Sequence, residues 1–239
     1  MFLSSLNRSI SKKVMQRLYS LFDRRINFSY SQEGEDILLL RIFGDQNDGL
    51  YVDVGAHHPK RFSNTYLFYK RGWRGINIDA MPGSMKLFHK MRPRDINLEM
   101  GVANQEGTRN FYIFNEPALN GFSAELSEER SLAENPYHVK EVIKVDVKPL
   151  RQILDQHLVG GGYQGIDFLS VDVEGFDLEV LQSNDWFKYR PKFVLAEVLN
   201  SSLHDLDQDP VVSFMRDQNY VVYAKLVNTV FFKDIVNKE

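Results

Sequence analysis

The chain has 239 residues, a formal net charge of −3, 43% hydrophobic and 26% charged residues, and no cysteine. Such a composition is typical of a globular domain with a sizeable core, and the slightly acidic balance argues against a nucleic-acid partner. The absence of cysteine excludes disulfides, thiolate metal sites and cysteine nucleophiles. No apolar run approaches the length of a membrane-spanning helix, and no signal peptide is recognisable, so we expect a cytoplasmic protein.

Residues 1–28 form a basic segment that we predict to be an amphipathic helix. Residues 1–25 carry six basic side chains against the single acid Asp23, and apolar residues recur at roughly helical spacing. Such a helix packs on its own domain or on the partner subunit of a homodimer, or it lies on an anionic membrane surface. These alternatives stay open, and we predict one folded domain over residues 29–239.

The domain alternates between helical and strand patterns. Helices are predicted over 29–42, where Ser31 is a candidate cap, and over 63–71, 82–91, 149–158, 177–183 and 209–217; strands are predicted over 50–54, 74–79, 96–102, 166–172, 192–198, 219–226 and 229–233. This alternation predicts an α/β fold with a mostly parallel seven-stranded sheet and helices on both faces. Only Val227 and Asn228 separate the last two strands, which predicts an antiparallel hairpin at the sheet edge.

The segment between the third and fourth predicted strands departs from the alternation. Residues 111–114 and 142–145 have strand patterns, and the polar segment 115–137 between them is interrupted by Pro117 and Pro136. A long insertion in an α/β core is more often a binding loop or lid than a linker. We therefore predict that the inserted loop 115–137 forms part of a substrate pocket.

Two strand ends predict a nucleoside cofactor. The strand 50–54 contains Asp53 and runs into Gly55 and Ala56, and the next strand ends in Asp79. A strand, a glycine turn and a second strand that ends in an acid are typical of α/β proteins that grip an adenosine-type cofactor, because the acid accepts hydrogen bonds from the ribose hydroxyls. No further glycine follows Gly55 at dinucleotide spacing, which argues against a nicotinamide cofactor and its pyrophosphate.

A cluster of acids predicts the chemistry. Asp172 and Glu197 end two strands that should be neighbours, and Glu174 lies in the turn after Asp172. Carboxylates so close repel one another unless they share a proton or a cation. One interpretation is a general base with orienting partners; the other is a weak divalent-metal site with Asp172, Glu197 and His204 as ligands. The alternative is a purely structural role, in which these acids cap helices or form ion pairs.

Taken in order, these motifs resemble the FkbM-type methyltransferases, over roughly residues 30–233. The matching segments are 30–36, 52–56, 62–65, 72–79, 121–123, 170–175 and 196–197. The resemblance implies a Rossmann-like class I methyltransferase fold and S-adenosylmethionine (SAM) as cofactor. It implies cofactor contacts for Gln32, Asp36, Asp53, Gly55, Ala56, Asn64, Asp79 and Val102. The family often has Asn and Gly after the Gly-Ala turn, where this chain has His57-His58-Pro59.

The resemblance also implies O-methylation, with a sugar hydroxyl in a nucleotide sugar, a surface glycan or a glycolipid as acceptor. Catalytic roles are predicted for Asp172 and Glu174, and for His57 and His58, because an imidazole that titrates near neutrality suits removal of a hydroxyl proton. Mg²⁺ or another divalent metal would be a second cofactor. A polyketide or other natural-product acceptor, a non-catalytic SAM-binding assembly protein and a nicotinamide-dependent oxidoreductase stay open as alternatives.

Overall fold

The computed structural model describes residues 27–44, 46–132, 134–158, 165–199 and 201–237. We number the elements within these residues. The helices are α1 (Glu35–Phe43), α2 (Tyr66–Lys70), α3 (Met85–Met91), α4 (Ala124–Leu132), α5 (Leu150–Leu158), α6 (Asp177–Gln182) and α7 (Pro210–Asp217), with short 3-10 helices at Pro117–Leu119 and Leu206–Gln208. The strands are β1 (Leu50–Val54), β2 (Arg74–Asp79), β3 (Ile96–Glu99), β4 (Gly101–Val102), β5 (Gly107–Phe114), β6 (Val139–Lys148), β7 (Phe168–Val171), β8 (Phe193–Glu197), β9 (Tyr220–Lys225) and β10 (Thr229–Asp234).

A seven-stranded sheet in the order β3-β2-β1-β7-β8-β10-β9 forms the centre of the domain. Strands β1, β2, β3, β7 and β8 pair in parallel, and β10 runs antiparallel to β8 and β9. The predicted α/β architecture and the C-terminal hairpin at the edge are therefore confirmed. The chain order reverses between β1 and β7, and ligands of open α/β sheets bind at such a switch point, beyond the carboxyl ends of the strands.

Both faces of the sheet are covered because successive residues of a strand point to opposite sides. Leu50, Val52 and Val54 of β1 belong to one buried cluster, which also contains apolar residues of α5, α6 and α7. Tyr51 belongs to a second cluster, with residues of α1 and α2. The near-continuous apolar runs of the central strands are typical of parallel strands buried on both sides.

The first helix begins later than predicted. The sequence predicts a helix over 29–42, whereas α1 begins at Glu35 with Gly34 as its N-cap residue. The buried carboxylate of Asp36 accepts hydrogen bonds from the hydroxyls of Ser29 and Ser31 and from the backbone N–H of Tyr30. These bonds hold the preceding residues in a loop. Ser31 is not the N-cap residue, yet its hydroxyl accepts the N–H of Asp36 in the first turn at 3.3 Å, so it satisfies a first-turn donor as predicted.

The predicted strand 96–102 is two strands in two sheets. β3 pairs with β2, whereas β4 pairs with β6 in a three-stranded sheet of order β4-β6-β5. The two extra strands predicted in the insertion are present as the longer β5 and β6. The segment 115–137 between them contains a 3-10 helix and α4, which the sequence analysis did not predict. This small sheet and its helices stand beside the switch point.

The predicted helix over 1–28 lies outside the described residues apart from 27 and 28, so it stays a prediction, as does the partner subunit. Among the described residues, no helix combines the length and the apolar character that crossing a bilayer requires.

Candidate active site

A cavity of about 350 Å³ opens at the switch point, beyond the carboxyl ends of β1, β2 and β7. Its volume falls within the range of small-molecule sites. Asp79, Asp172 and Glu174 line it, and none of the described lining residues is Lys or Arg. Residues 117–118 and 120–122 of the insertion complete its wall. The charge of this wall suits a ligand that carries positive charge.

The turn after β1 is closely packed against both neighbouring strands. The N–H groups of Gly55 and Ala56 donate to the carbonyl of Ile78 at 2.9 and 3.1 Å. Gly55 has φ 84°, and a Cβ at this position would lie 1.8 Å from the carbonyl oxygen of Asp172. Glycine is therefore required here by the approach of the residue after β7. The same turn thus brings the predicted cofactor strand and Asp172 together.

Asp79 at the end of β2 is held by the backbone around it. Its Oδ2 accepts the N–H of His57 and its Oδ1 accepts the N–H of Met81, both at 2.8 Å. Burial raises the pKa of Asp79, and these two hydrogen bonds act in the opposite direction. Each carboxylate oxygen has a further lone pair. The carboxylate is therefore fixed in place on the cavity wall and keeps acceptor capacity for hydroxyl groups.

The eight predicted cofactor residues fall into two groups. Those that line the cavity are Gln32, Gly55, Asp79 and Val102; those that lie behind the lining are Asp36, Asp53, Ala56 and Asn64. Ala56 packs against Met85 and Phe88 of α3. Asn64 donates to the hydroxyl of Ser170 at 3.1 Å.

Asp53 belongs to a buried polar network that supports the cavity from behind. It accepts a hydrogen bond from the Thr65 hydroxyl at 2.8 Å. Burial raises the pKa of Asp53, while the nearby guanidinium of Arg92 lowers it. Arg92 is itself fully buried, pairs with Asp95 at 2.8 Å, and donates to the Tyr51 and Thr65 oxygens at 2.8 and 3.0 Å. The sequence analysis missed Arg92, because nothing in its local sequence shows that it is buried.

The two predicted histidines have different environments. His57 lines the cavity, and burial lowers its pKa, so the imidazole is neutral at neutral pH and able to accept a proton. His58 is outside the described lining, and its Nδ1 accepts the N–H groups of Lys60 and Arg61 at 3.0 and 2.9 Å. His58 thus shapes the loop after the turn.

The predicted acidic cluster is present. Asp172, Glu174 and Glu197 each offer an oxygen atom, and these atoms lie within 4.8 Å of one another. Asp172 is open to the cavity, yet the protein atoms around its other sides and the carboxylates of Glu174 and Asp177 raise its pKa well above the usual range. Burial and the same neighbouring acids raise the pKa of Glu197 to about 10. At neutral pH this group therefore holds shared protons or a cation.

One positively charged side chain of the insertion contacts the cluster. Arg130 of α4 forms an ion pair with Glu174, and both side chains are mostly buried. Burial raises the pKa of Glu174, while Arg130 lowers it. On the other side, Asp177 accepts the backbone N–H of Glu197 at 3.2 Å, and its pKa is raised by burial to about 7. The sequence analysis missed Arg130 because it missed the helix that carries it.

The donor atoms of the cluster fit a hard divalent cation, which prefers carboxylate oxygens. Glu197 has one buried oxygen, Oε2, with no hydrogen-bond partner among the described residues. Asp172, Glu174 and Glu197 are thus the residues placed to hold such an ion. His204, the third predicted ligand, is exposed in the segment after β8 and does not belong to this cluster of possible metal ligands.

Comparisons with known proteins identify the family. The methyltransferase FkbM domain matches residues 53–222, well over half of the chain. No curated protein matches. A solved protein from Pyrococcus horikoshii, provisionally described as an RNA methyltransferase, is similar with a TM-score of 0.43 and 10% identity, covering 85% of this chain and 84% of that chain. Methyltransferases of such families use SAM in general. On the match over residues 53–222, this chain belongs to the FkbM methyltransferase domain family.

Proposed function

We propose that this protein uses SAM to methylate a hydroxyl group of a sugar, in a nucleotide sugar, a surface glycan or a glycolipid. The observation that carries the proposal is the cavity at the switch point, which is lined by Asp79, Asp172 and Glu174 and by no described Lys or Arg. SAM carries a positively charged sulfur and an ammonium group. A wall of carboxylates complements both charges, and no further glycine follows Gly55 at dinucleotide spacing to hold the pyrophosphate of a nicotinamide cofactor.

The two ends of the cavity suit the two ends of the cofactor. Asp79 is fixed by the N–H groups of His57 and Met81 and has lone pairs left for the ribose hydroxyls. Val102 and Met100 lie beside it on the wall and offer an apolar surface to the adenine. Asp172 and Glu174 lie beyond the glycine turn, where the methyl group and the acceptor would meet.

SAM supplies an activated methyl group, which forms a bond to the acceptor oxygen as its bond to sulfur breaks and the electron pair remains on sulfur. The chain aligns the hydroxyl and accepts its proton. Two groups on the wall are suited to accept it, namely the neutral imidazole of His57 and the carboxylate of Glu174 beside Arg130. Alignment supplies most of the rate enhancement in such a displacement, and proton removal adds about 10²- to 10⁴-fold.

Aromatic residues of the insertion and of the loop after β1 provide the surface for a sugar ring. Phe62, Phe111 and Phe122 line the cavity, and the rings of Phe111 and Phe122 lie 4.9 Å apart. Aromatic faces pack well against the apolar face of a sugar, while the carboxylates accept hydrogen bonds from its hydroxyls. A polyketide acceptor would use the same aromatic rings but would leave more of these carboxylates unpaired.

The proposal is tested by transfer of a labelled methyl group from SAM to a panel of sugars, nucleotide sugars, glycolipid extracts and polyketides. Asp172→Asn should abolish most of the transfer, whereas Asp146→Asn, an exposed residue of β6 outside the cavity, should not. Labelling of a natural product alone would mean that the acceptor is a natural product and not a sugar. Binding of SAM without transfer to any acceptor would favour a non-catalytic role.

We further propose that Mg²⁺ or a similar ion binds Asp172, Glu174 and Glu197, because their oxygen atoms converge within 4.8 Å. Titration of chelator-treated protein with Mg²⁺ tests this directly. Binding that is lost in Glu197→Gln supports the site. A lack of binding would mean that the cluster is balanced by shared protons and by Arg130.

A further inference from the structure

A strip of aromatic and basic side chains borders the mouth of the cavity. We call it the aromatic–basic rim; its members are Phe28, Tyr30, Lys60, Arg61, Phe62 and Lys70. Phe62 also lines the cavity, so the rim is continuous with the active site. Phe28 and Phe62 are 55% and 39% exposed. Apolar side chains that adjoin one another on a surface mark contact sites, whereas singly exposed ones are ordinary.

The basic side chains of the rim lie over its aromatic rings. The Nζ atoms of Lys60 and Lys70 are 5.6 and 5.3 Å from the centre of the Tyr30 ring, and Lys70 also donates to the Tyr30 hydroxyl at 3.1 Å. The guanidinium of Arg61 lies 4.4 Å from the centre of the Phe62 ring. Cationic groups thus lie over two aromatic rings of the rim, those of Tyr30 and Phe62.

The acids next to the rim are bonded to the protein instead of facing outward. Asp36 is fully buried and accepts bonds from the loop before α1. Glu33 accepts the backbone N–H groups of Asn228 and Thr229. Glu116, which lies 3.8 Å from Arg61, is the acid that pairs with the rim. The rim is therefore positive on a chain whose net charge is −3.

The chain before the rim adds charge of the same sign. Residues 1–26 carry six basic side chains and the single acid Asp23, and they lead directly to residue 27 beside Phe28. Phenylalanine enters the boundary between headgroups and acyl chains, and each Lys or Arg near an anionic leaflet adds about 1 kcal/mol of attraction. The rim has both properties, and the sequence before it adds six further basic residues.

We propose that the aromatic–basic rim docks on an anionic lipid bilayer, so that the cavity opens toward the membrane and takes the sugar headgroup of a lipid as its acceptor. The identity of the acceptor rests on the proposed function, whereas docking does not. A surface-bound enzyme meets a lipid-linked sugar without extracting it from the bilayer, and the cavity accepts the neutral sugar while the rim contacts the anionic headgroups.

Cosedimentation of the full chain with vesicles tests the docking. One set of vesicles is phosphatidylcholine alone, and the other contains phosphatidylglycerol as well. The variant Lys60→Glu/Arg61→Glu reverses two charges on the rim. The matched control Arg41→Glu/Lys233→Glu reverses two exposed cations in a groove at the opposite edge of the sheet. SAM binding by each variant shows that it is folded.

We expect the full chain to bind the phosphatidylglycerol vesicles and not the neutral ones. The rim variant should lower the partition coefficient by at least about 30-fold, since each basic residue near the surface contributes about five-fold. The control variant should change it by no more than about two-fold. Phe28→Ser should also weaken binding, because it removes an apolar contact without a change in charge.

Two results would overturn the proposal: no binding of the full chain to anionic vesicles, or equal losses in the rim and control variants, which would make net charge the cause. The function is judged separately, by methyl transfer to soluble sugars and to detergent-solubilised glycolipids in the absence of vesicles. Transfer without vesicle binding would leave the function standing and remove the docking. Vesicle binding without transfer to any sugar would leave the docking standing and remove the proposed function.

Discussion

The approach of Gly55 to Asp172 leads to a prediction that compares two glycines. Gly55 and Gly34 have similar backbone conformations, with φ 84° and 94°. A Cβ on Gly34 would have no atom within 4 Å, whereas a Cβ on Gly55 would lie 1.8 Å from the Asp172 carbonyl oxygen and 2.8 Å from its carbon. The variants Gly34→Ala and Gly55→Ala therefore share the backbone strain and differ in the clash.

The left-handed conformation costs an alanine about 1–2 kcal/mol, so Gly34→Ala should lower the free energy of unfolding by that amount. Gly55→Ala should add the cost of overpacking, about 1–3 kcal/mol, for a total of about 2–5 kcal/mol. Urea unfolding measures both values, provided that the m-values match that of the wild type. Because the clash displaces the residue after β7, Gly55→Ala should also weaken SAM binding, and Gly34→Ala should not. Equal losses of stability in the two variants would refute the packing argument.

Three further predictions concern the acids of the cavity. Asp79→Ala should weaken SAM binding by about 1.5–3 kcal/mol, the value of charge-assisted hydrogen bonds to the ribose, and an unchanged affinity in calorimetry would remove Asp79 from the cofactor site. Asp172→Asn should still bind SAM, because Asp79 and Glu174 remain on the wall, and should lose turnover, so retained turnover would exclude Asp172 from the chemistry. The pKa of Glu197, raised from 4.5 to about 10, means that the folded chain holds this proton more tightly than the unfolded chain, so its contribution to stability is complete at low pH and is lost as the pH rises toward 10. In metal-free protein, the Tm of Glu197→Gln should therefore fall less than the Tm of the wild type as the pH rises from about 7 to 9. Parallel curves of Tm against pH would contradict the raised pKa.

The central strands could be predicted from the sequence because they are short apolar runs between polar turns. The bounds of β1 and β2 agree with the prediction, since the buried interior of each strand is mostly apolar or small, with Asp53 and Asn77 as the polar exceptions. The helix α4 could not be predicted in this way. Of its nine residues only Ser127 is buried, so it has no apolar stripe to produce a helical period.

The candidate site likewise contains residues that could be predicted from the sequence and residues that could not. Asp79 and Asp172 could be placed together from the sequence because both follow parallel strands whose carboxyl ends share an edge. Arg130 and Arg92 could not, because their partners Glu174 and Tyr51 are 44 and 41 residues away in the chain. Such long-range contacts depend on how the insertion and α3 pack, and neither a motif nor a period records that packing.

Isothermal titration of the full chain with SAM, S-adenosylhomocysteine and NAD, with and without Mg²⁺, tests the central claim most directly. The acidic cavity predicts that both sulfur nucleosides bind at one site per chain and that NAD does not bind. Binding of NAD, or of neither sulfur nucleoside, would contradict the assignment of this cavity as a SAM site.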